Sequence, residues 1–250
     1  MAASAPSGPR QACMTAVMTG LVLGYGIGSQ RWSRSRASVF ANLAAGAGLL
    51  VVARVSGATA ADVGLGRADV MRGVRVGLAT VPPIAAVLAA GAALPTTRRF
   101  FADERALELD GREIAYELLV RIPLATALSE EVMFRGALLS VASAWPGPRW
   151  ASAYCSLVFG AWHVLPALEA HRRNQAAAAV ADRLGGRAAT VVATVTATTV
   201  AGLALSKLRI RSQSLLAPFL AHTALNGIAF GLAWATRRTS SSAGPRELRR

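Results

Sequence analysis

Seven long apolar stretches dominate this chain, at residues 12–29, 37–53, 76–94, 114–143, 150–168, 188–206 and 214–236. A helix needs about 20 apolar residues to cross a hydrocarbon layer of roughly 30 Å, and these stretches have lengths of that order. In lipid, every backbone N–H and C=O must be satisfied within its own segment, so repeated spans of this kind fold as helices. The expected fold is therefore all-α: a polytopic transmembrane bundle of about seven spans, with six to eight admissible. Composition agrees. Of 250 residues, 53% are hydrophobic and only 16% charged, with a mean hydropathy of +0.41. A soluble domain is usually about a quarter charged.

The formal net charge is +14, and nearly all the basic residues are arginine. A surplus of this size can signal nucleic-acid binding. Here the arginines fall in short clusters between apolar runs, where they suit lipid headgroups better, so no nucleic-acid partner is expected. Cys13 and Cys155 both lie inside apolar runs, which excludes a disulfide-stapled fold and a CxxC metal site. The first run follows Arg10 as a cleaved signal would, but it is longer than a signal core and is expected to remain as a span. Gly20, Gly24 and Gly28 recur every four residues on it, a pattern that permits close helix approach, although a plain glycine-rich helix fits equally. Pro82-Pro83 should kink the third span.

Residues 95–113 carry the densest charge and read as one amphipathic surface segment. Residues 169–187, with His171, read as a polar loop, and the tail from Arg237 as a disordered basic extension. The chain divides accordingly into a three-span N-terminal part (1–94), a core (95–236) and the tail (237–250). The N-terminus and the even-numbered connectors hold 9 basic residues, whereas the odd-numbered connectors and the tail hold 16. Positive-inside bias thus predicts a multi-pass protein of the cell membrane with a cytoplasmic C-terminus.

Ionisable groups at membrane depth cost several kcal/mol and usually mark function or an internal partner. Three places carry that cost. In Ser129-Glu130-Glu131-Val132-Met133-Phe134-Arg135, Glu131 and Arg135 stand four apart and can pair, which turns Glu130 about 100° away without a partner on its own helix. His163 closes the segment Phe159-Gly160-Ala161-Trp162-His163. His222 and Asn226 share a face of the last span. Each alone has a structural reading, a hydrogen-bonded buried histidine for His163 and an interhelical clasp for His222 and Asn226. Together, a carboxylate, two imidazoles and a carboxamide are what water-mediated attack on a carbonyl requires.

These residues resemble the CPBP intramembrane proteases, also called the Abi or type II CAAX protease family. That family's pattern is EExxxR, FxxxH and Hxxx(N/D) on separate transmembrane helices. The matching positions here are Glu130-Glu131-xxx-Arg135, Phe159-xxx-His163 and His222-xxx-Asn226. The resemblance covers roughly residues 95–236 and implies a membrane-embedded, glutamate-dependent endopeptidase acting on a membrane-bound protein or peptide. It implies that Glu130 activates water, His163 helps to position it, and His222 with Asn226 stabilises the oxyanion. Glu131 and Arg135 would then support the site, with Phe159 packing beside His163. A metal-free mechanism is favoured; a zinc alternative would use Glu130, His163 and His222. The arginine-rich, alanine- and glycine-rich composition points to a prokaryotic plasma membrane, where prenylated substrates are not expected. The competing functions are a non-catalytic membrane scaffold or bacteriocin-immunity-type protein and a proton-coupled carrier.

Overall fold

A computed structural model describes residues 8–32, 35–98, 101, 106 and 108–241, without the side chains of 32, 173, 175–177 and 236–241. Among the described residues every regular element is helical. Helices α1 (Gly8–Ser29), α2 (Ala37–Val55) and α3 (Val70–Ala93) coincide with the first three apolar runs. A continuous helical run, α4, then extends from Gly111 to Ser143. It comprises Gly111–Tyr116, Glu117–Leu128, Ser129–Glu131, Val132–Leu138 and Leu139–Ser143. There follow α5 (Pro148–Trp162), α6 (Val164–Arg173), α7 (Gln175–Asp182), α8 (Arg187–Ser212) and α9 (Leu216–Ser241).

Among the described residues, six helical stretches are long and apolar enough to cross a membrane: Gly8–Ser29, Ala37–Val55, Arg67–Ala93, Pro148–Arg172, Arg187–Ser212 and Leu216–Ala235. The fourth apolar run is α4, which contains Glu117, Arg121, Glu130, Glu131 and Arg135 and lies at the centre of the bundle. Large apolar side chains on several helices stay uncovered, among them Phe40, Val87, Leu157 and Val192. A water-soluble domain would bury such residues, whereas lipid leaves them no reason to hide. The chain is a multi-pass membrane protein.

Local chemistry sets the helix ends. At the start of α4, the Asp110 carboxylate accepts from the N–H groups of Arg112 and Glu113, and Glu113 accepts from Asp110 N. This reciprocal capping box satisfies donors that the first turn cannot. In the connector after α2, Asp62 accepts from the hydroxyl and the N–H of Thr59. Those two bonds hold its carboxyl below the ordinary value against the opposing effect of burial. Arg209, buried near the end of α8, donates to the carbonyls of Asp62 (2.6 Å) and Ala61 (3.3 Å). It thereby ties that connector to α8.

The core is a wedge of α1, α2, α4 and α5. Met18, Val22, Leu49, Ala53, Met133, Phe134, Leu138, Cys155 and Phe159 form one buried cluster. Glycines let backbones approach where helices cross. A Cβ on Gly46 of α2 would lie 3.2 Å from Val132 Cγ1, and one on Gly77 of α3 would lie 2.9 Å from Leu220 Cβ. Small residues at such crossings replace the hydrophobic driving force that lipid lacks.

Several expectations require correction. Gly20, Gly24 and Gly28 face open space; the close contact on α1 is instead Gly26 against the Trp162 ring. The 169–187 segment is mostly the helices α6 and α7, because its alanines and 3.6-residue spacing override its polarity. The last helix continues to Ser241, beyond the expected boundary at Arg237, and residues 242–250 lie outside the described residues. Of the amphipathic segment 95–113, Pro95–Arg98 is a single turn and Gly111 onward is already α4. Residues 99–100, 102–105 and 107, which make up much of the rest, lie outside the described residues.

Glycine contacts yield a paired test. A Cβ on Gly160 would collide with the Thr199 side chain and stand 2.9 Å from the Val195 carbonyl oxygen. Gly160→Ala is therefore expected to destabilise the bundle by about 1–3 kcal/mol, the usual overpacking range. Gly20→Ala, with open space around it, should be neutral or stabilising by up to ~1 kcal/mol through reduced backbone entropy. Thermal unfolding of both variants in detergent micelles checks the pair.

Candidate active site

The site begins with the winding of α4. Pro123 has no N–H to donate to the preceding turn. The helix is wound wide, as a π-type helix, over Glu117–Leu128 and again over Val132–Leu138. Between those stretches lies the ordinary segment Ser129–Glu131, with all three residues buried. Wide turns inside α-helices recur at functional sites because they re-aim side chains that strict helical phase would send elsewhere.

Glu131 and Arg135 pair as their spacing predicts. Arg135 Nη1 donates to Glu131 Oε1 at 2.9 Å, with side-chain exposures of 1% and 0%. The same oxygen lies 2.8 Å from His222 Nδ1 on α9. An oxygen that already accepts from a guanidinium is an acceptor, so Nδ1 of His222 carries the hydrogen. That leaves Nε2 of His222 pointing elsewhere, and it lies 3.9 Å from Glu130 Oε2. This distance is too long for a direct hydrogen bond. Glu130 Oε2 has no hydrogen-bond partner among the described residues, although the side chain keeps 11% of its surface exposed. The neighbouring carboxylates thus differ in one oxygen: Glu131 Oε1 is tied from two helices, whereas Glu130 has no such tie, and the Oε2 atom of each is buried without a hydrogen-bond partner among the described residues.

Phe159 of α5 joins the remaining groups. Its ring meets the Phe134 ring edge-on at 5.0 Å, His163 at 4.6 Å and His222 at 6.1 Å. The Arg135 guanidinium carbon lies 4.2 Å from its centroid. That cation–π contact partly offsets two guanidinium nitrogens, Nε and Nη2, that lack hydrogen-bond partners. Gly202 of α8 makes room here, since a Cβ on it would stand 3.3 Å from Arg135 Nη2. His163 occupies the turn between α5 and α6 and is half-buried. Its Nδ1 lies 2.7 Å from the Phe159 carbonyl oxygen, which can only accept, so Nδ1–H donates and Nε2 is left free.

The structure therefore brings Glu130, Glu131, Arg135, Phe159, His163 and His222, which come from α4, α5 and α9, into one cluster. Asn226 lies one turn beyond His222, half-buried, and makes no hydrogen bond with the described residues. Sequence spacing pairs Glu131 with Arg135 but gives no sign that His222 is clamped to the same oxygen, because that contact spans 91 residues. Among the described residues no group of three His, Cys, Asp or Glu side chains is arranged to hold a metal ion.

Residues 114–228, a little under half of the chain, match the sequence model of the family described as type II CAAX prenyl endopeptidase Rce1-like. No curated protein and no solved structure matches the chain. The matched segment takes in all three motifs, and α1 to α3 lie outside it.

Breaking the buried pair tests its structural weight. Glu131→Ala leaves Arg135 and His222 without their shared acceptor, and loss of one member of a buried ion pair costs about 3–5 kcal/mol. Glu131→Gln keeps an acceptor oxygen in place and should cost less. Melting temperatures in detergent should fall in the order wild type, Glu131→Gln, Glu131→Ala.

Proposed function

We propose that this chain, whose residues 114–228 form an Rce1-like type II CAAX prenyl endopeptidase domain, cleaves a peptide bond in a membrane-associated protein or peptide with water activated by Glu130. The observation that carries this reading is the asymmetry of the two adjacent carboxylates. Glu131 Oε1 accepts from both Arg135 and His222 in a fully enclosed side chain, whereas Glu130 makes no hydrogen bond with the described residues and keeps 11% of its side chain exposed beside the His222 ring.

Each group has a role that follows from its tether. Glu130 takes a proton from water, whose oxygen adds to the carbonyl carbon of the scissile bond. His163, with Nδ1–H held by the Phe159 carbonyl, offers Nε2 as an acceptor that orients the same water. His222 has its Nδ1–H held by Glu131, so it donates from Nε2 only as an imidazolium. In that state Glu130, Glu131, Arg135 and His222 sum to zero charge. The Nε2–H, with the Asn226 amide, then hydrogen-bonds the oxygen of the tetrahedral intermediate. When the C–N bond breaks, the proton held by Glu130 passes to the leaving nitrogen. Zero net charge suits a site enclosed by apolar helices, where an uncompensated ion is costly.

A cytoplasmic C-terminus and a cell-membrane location are part of this reading, supported by the asymmetry of 16 against 9 basic residues between alternate connectors. The expected substrate is held by lipid or by its own apolar segment, because the polar cluster lies among membrane-spanning helices.

Hydrolysis of a fluorogenic peptide tethered to a lipid anchor, by protein reconstituted in vesicles, tests the reading. Glu130→Gln should lower kcat by about 10²–10⁴-fold, the usual contribution of a general base, with an unchanged melting temperature. A variant that hydrolyses at the wild-type rate would leave a scaffolding role for the cluster and remove the peptidase reading.

A further inference from the structure

Two polar side chains of the N-terminal helices reach the helix that carries Glu130, and they lie outside the segment matched by the family. Tyr25, near the end of α1, donates its hydroxyl to Asn42 Oδ1 at 2.6 Å. Asn42, on α2, donates its amide to the Ala125 carbonyl of α4 at 2.7 Å, across 83 residues. The same carbonyl accepts the Ser129 hydroxyl at 2.6 Å. Ala125 lies in the wide-wound part of α4, and Ser129 immediately precedes Glu130. One turn along α2 from Asn42, Gly46 lets the α2 backbone approach Val132 and the Ser129 carbonyl. Asn42 and Gly46 therefore brace α4 on both sides of the Glu130-Glu131 pair.

The other end of the tie reaches the histidine helix. The Tyr25 ring stacks on Trp162 at 6.4 Å and 24°, and Trp162 packs edge-on against Phe134 at 5.7 Å. Trp162 directly precedes His163. Trp162, Tyr25, Asn42, Ala125 and Ser129 thus form one line of contacts between the turn that presents His163 and the turn that presents Glu130. Apart from Ser38, Asn42 is the only polar residue in the apolar run 37–53, where an amide stays only if it is bonded to another helix.

We propose that Tyr25 and Asn42 are positioning residues of the peptidase centre, a tie that fixes Glu130 relative to His163. This rests on the reading of Glu130 as the base. A wide-wound helix can slip back to ordinary winding by changing which N–H each carbonyl accepts, and such a slip would rotate every side chain after it. The Asn42 amide occupies the Ala125 carbonyl from outside α4 and opposes the slip. Reacting groups must be held to within a fraction of an ångström, so a small rotation of Glu130 would lower the rate while leaving substrate binding intact.

Wild type, Asn42→Ala, Tyr25→Phe and the double variant, reconstituted in vesicles, are compared on the tethered peptide well below their melting temperatures. Asn42→Ala should lower kcat at least 10-fold with KM unchanged, and Tyr25→Phe should lower it less because the stack on Trp162 remains. In the Asn42→Ala background, Tyr25→Phe should cost nothing further, since the line is already cut. The second readout needs no turnover: imidazole NMR resonances of His163 and His222 should shift in Asn42→Ala and stay in place in Gly20→Ala. Wild-type kcat in Asn42→Ala with unmoved imidazole resonances overturns the tie. A lower melting temperature with kcat intact also overturns it, leaving only a structural bond. Should wild type prove inactive on the peptide, the base reading fails separately and the resonances alone decide the tie.

Discussion

One oxygen atom organises the centre of this protein. Glu131 Oε1 accepts from Arg135 of its own helix and from His222 of the last helix, at 2.9 and 2.8 Å, with all three side chains almost fully enclosed. Charges at membrane depth are tolerated only when paired and hydrogen-bonded, so this contact fixes where the polar groups of α4 and α9 can settle. It sets the tautomer of His222 and turns Nε2 towards Glu130. The local Arg135 pair alone could form on an isolated helix; the bond to His222 forms only when α4 and α9 pack.

The packing that permits this contact comes from shape more than from attraction. Lipid offers apolar side chains as good an environment as a neighbouring helix, so close approach and hydrogen bonds decide helix association. Gly46, Gly77, Gly160 and Gly202 provide the approach, each facing another helix so closely that an added Cβ would crowd it. Phe159 then fills the space they frame, touching both imidazoles and the guanidinium. A ring there holds three polar groups apart without offering any of them a competing hydrogen bond.

The family-matched segment carries the three motifs, and the first three helices pack against it. Helix α2 lies along the back of the acidic pair, α3 packs against α9 through Gly73 and Gly77, and α1 covers Trp162 with Tyr25 and Gly26. An N-terminal part that contributes none of the motifs is nevertheless built into the same core as the motif residues.

Span positions were legible from hydropathy alone, because the length of an apolar run is a local property that lipid reads directly. The charged fourth run was legible for the converse reason: ionisable residues at that depth must have partners, and the spacing of Glu131 and Arg135 names one of them. The true helical content of 169–187 and the bare faces of Gly20, Gly24 and Gly28 were not legible, since a repeat or a polar stretch does not say what will lie opposite it. Tertiary structure alone decided that His222 sits between two carboxylates, that Phe159 reaches Arg135 and His222, and that Asn42 caps a carbonyl of α4. Each of those contacts joins residues tens of positions apart, and pairing over such distances depends on how whole helices rotate and slide against one another, which no local spacing encodes.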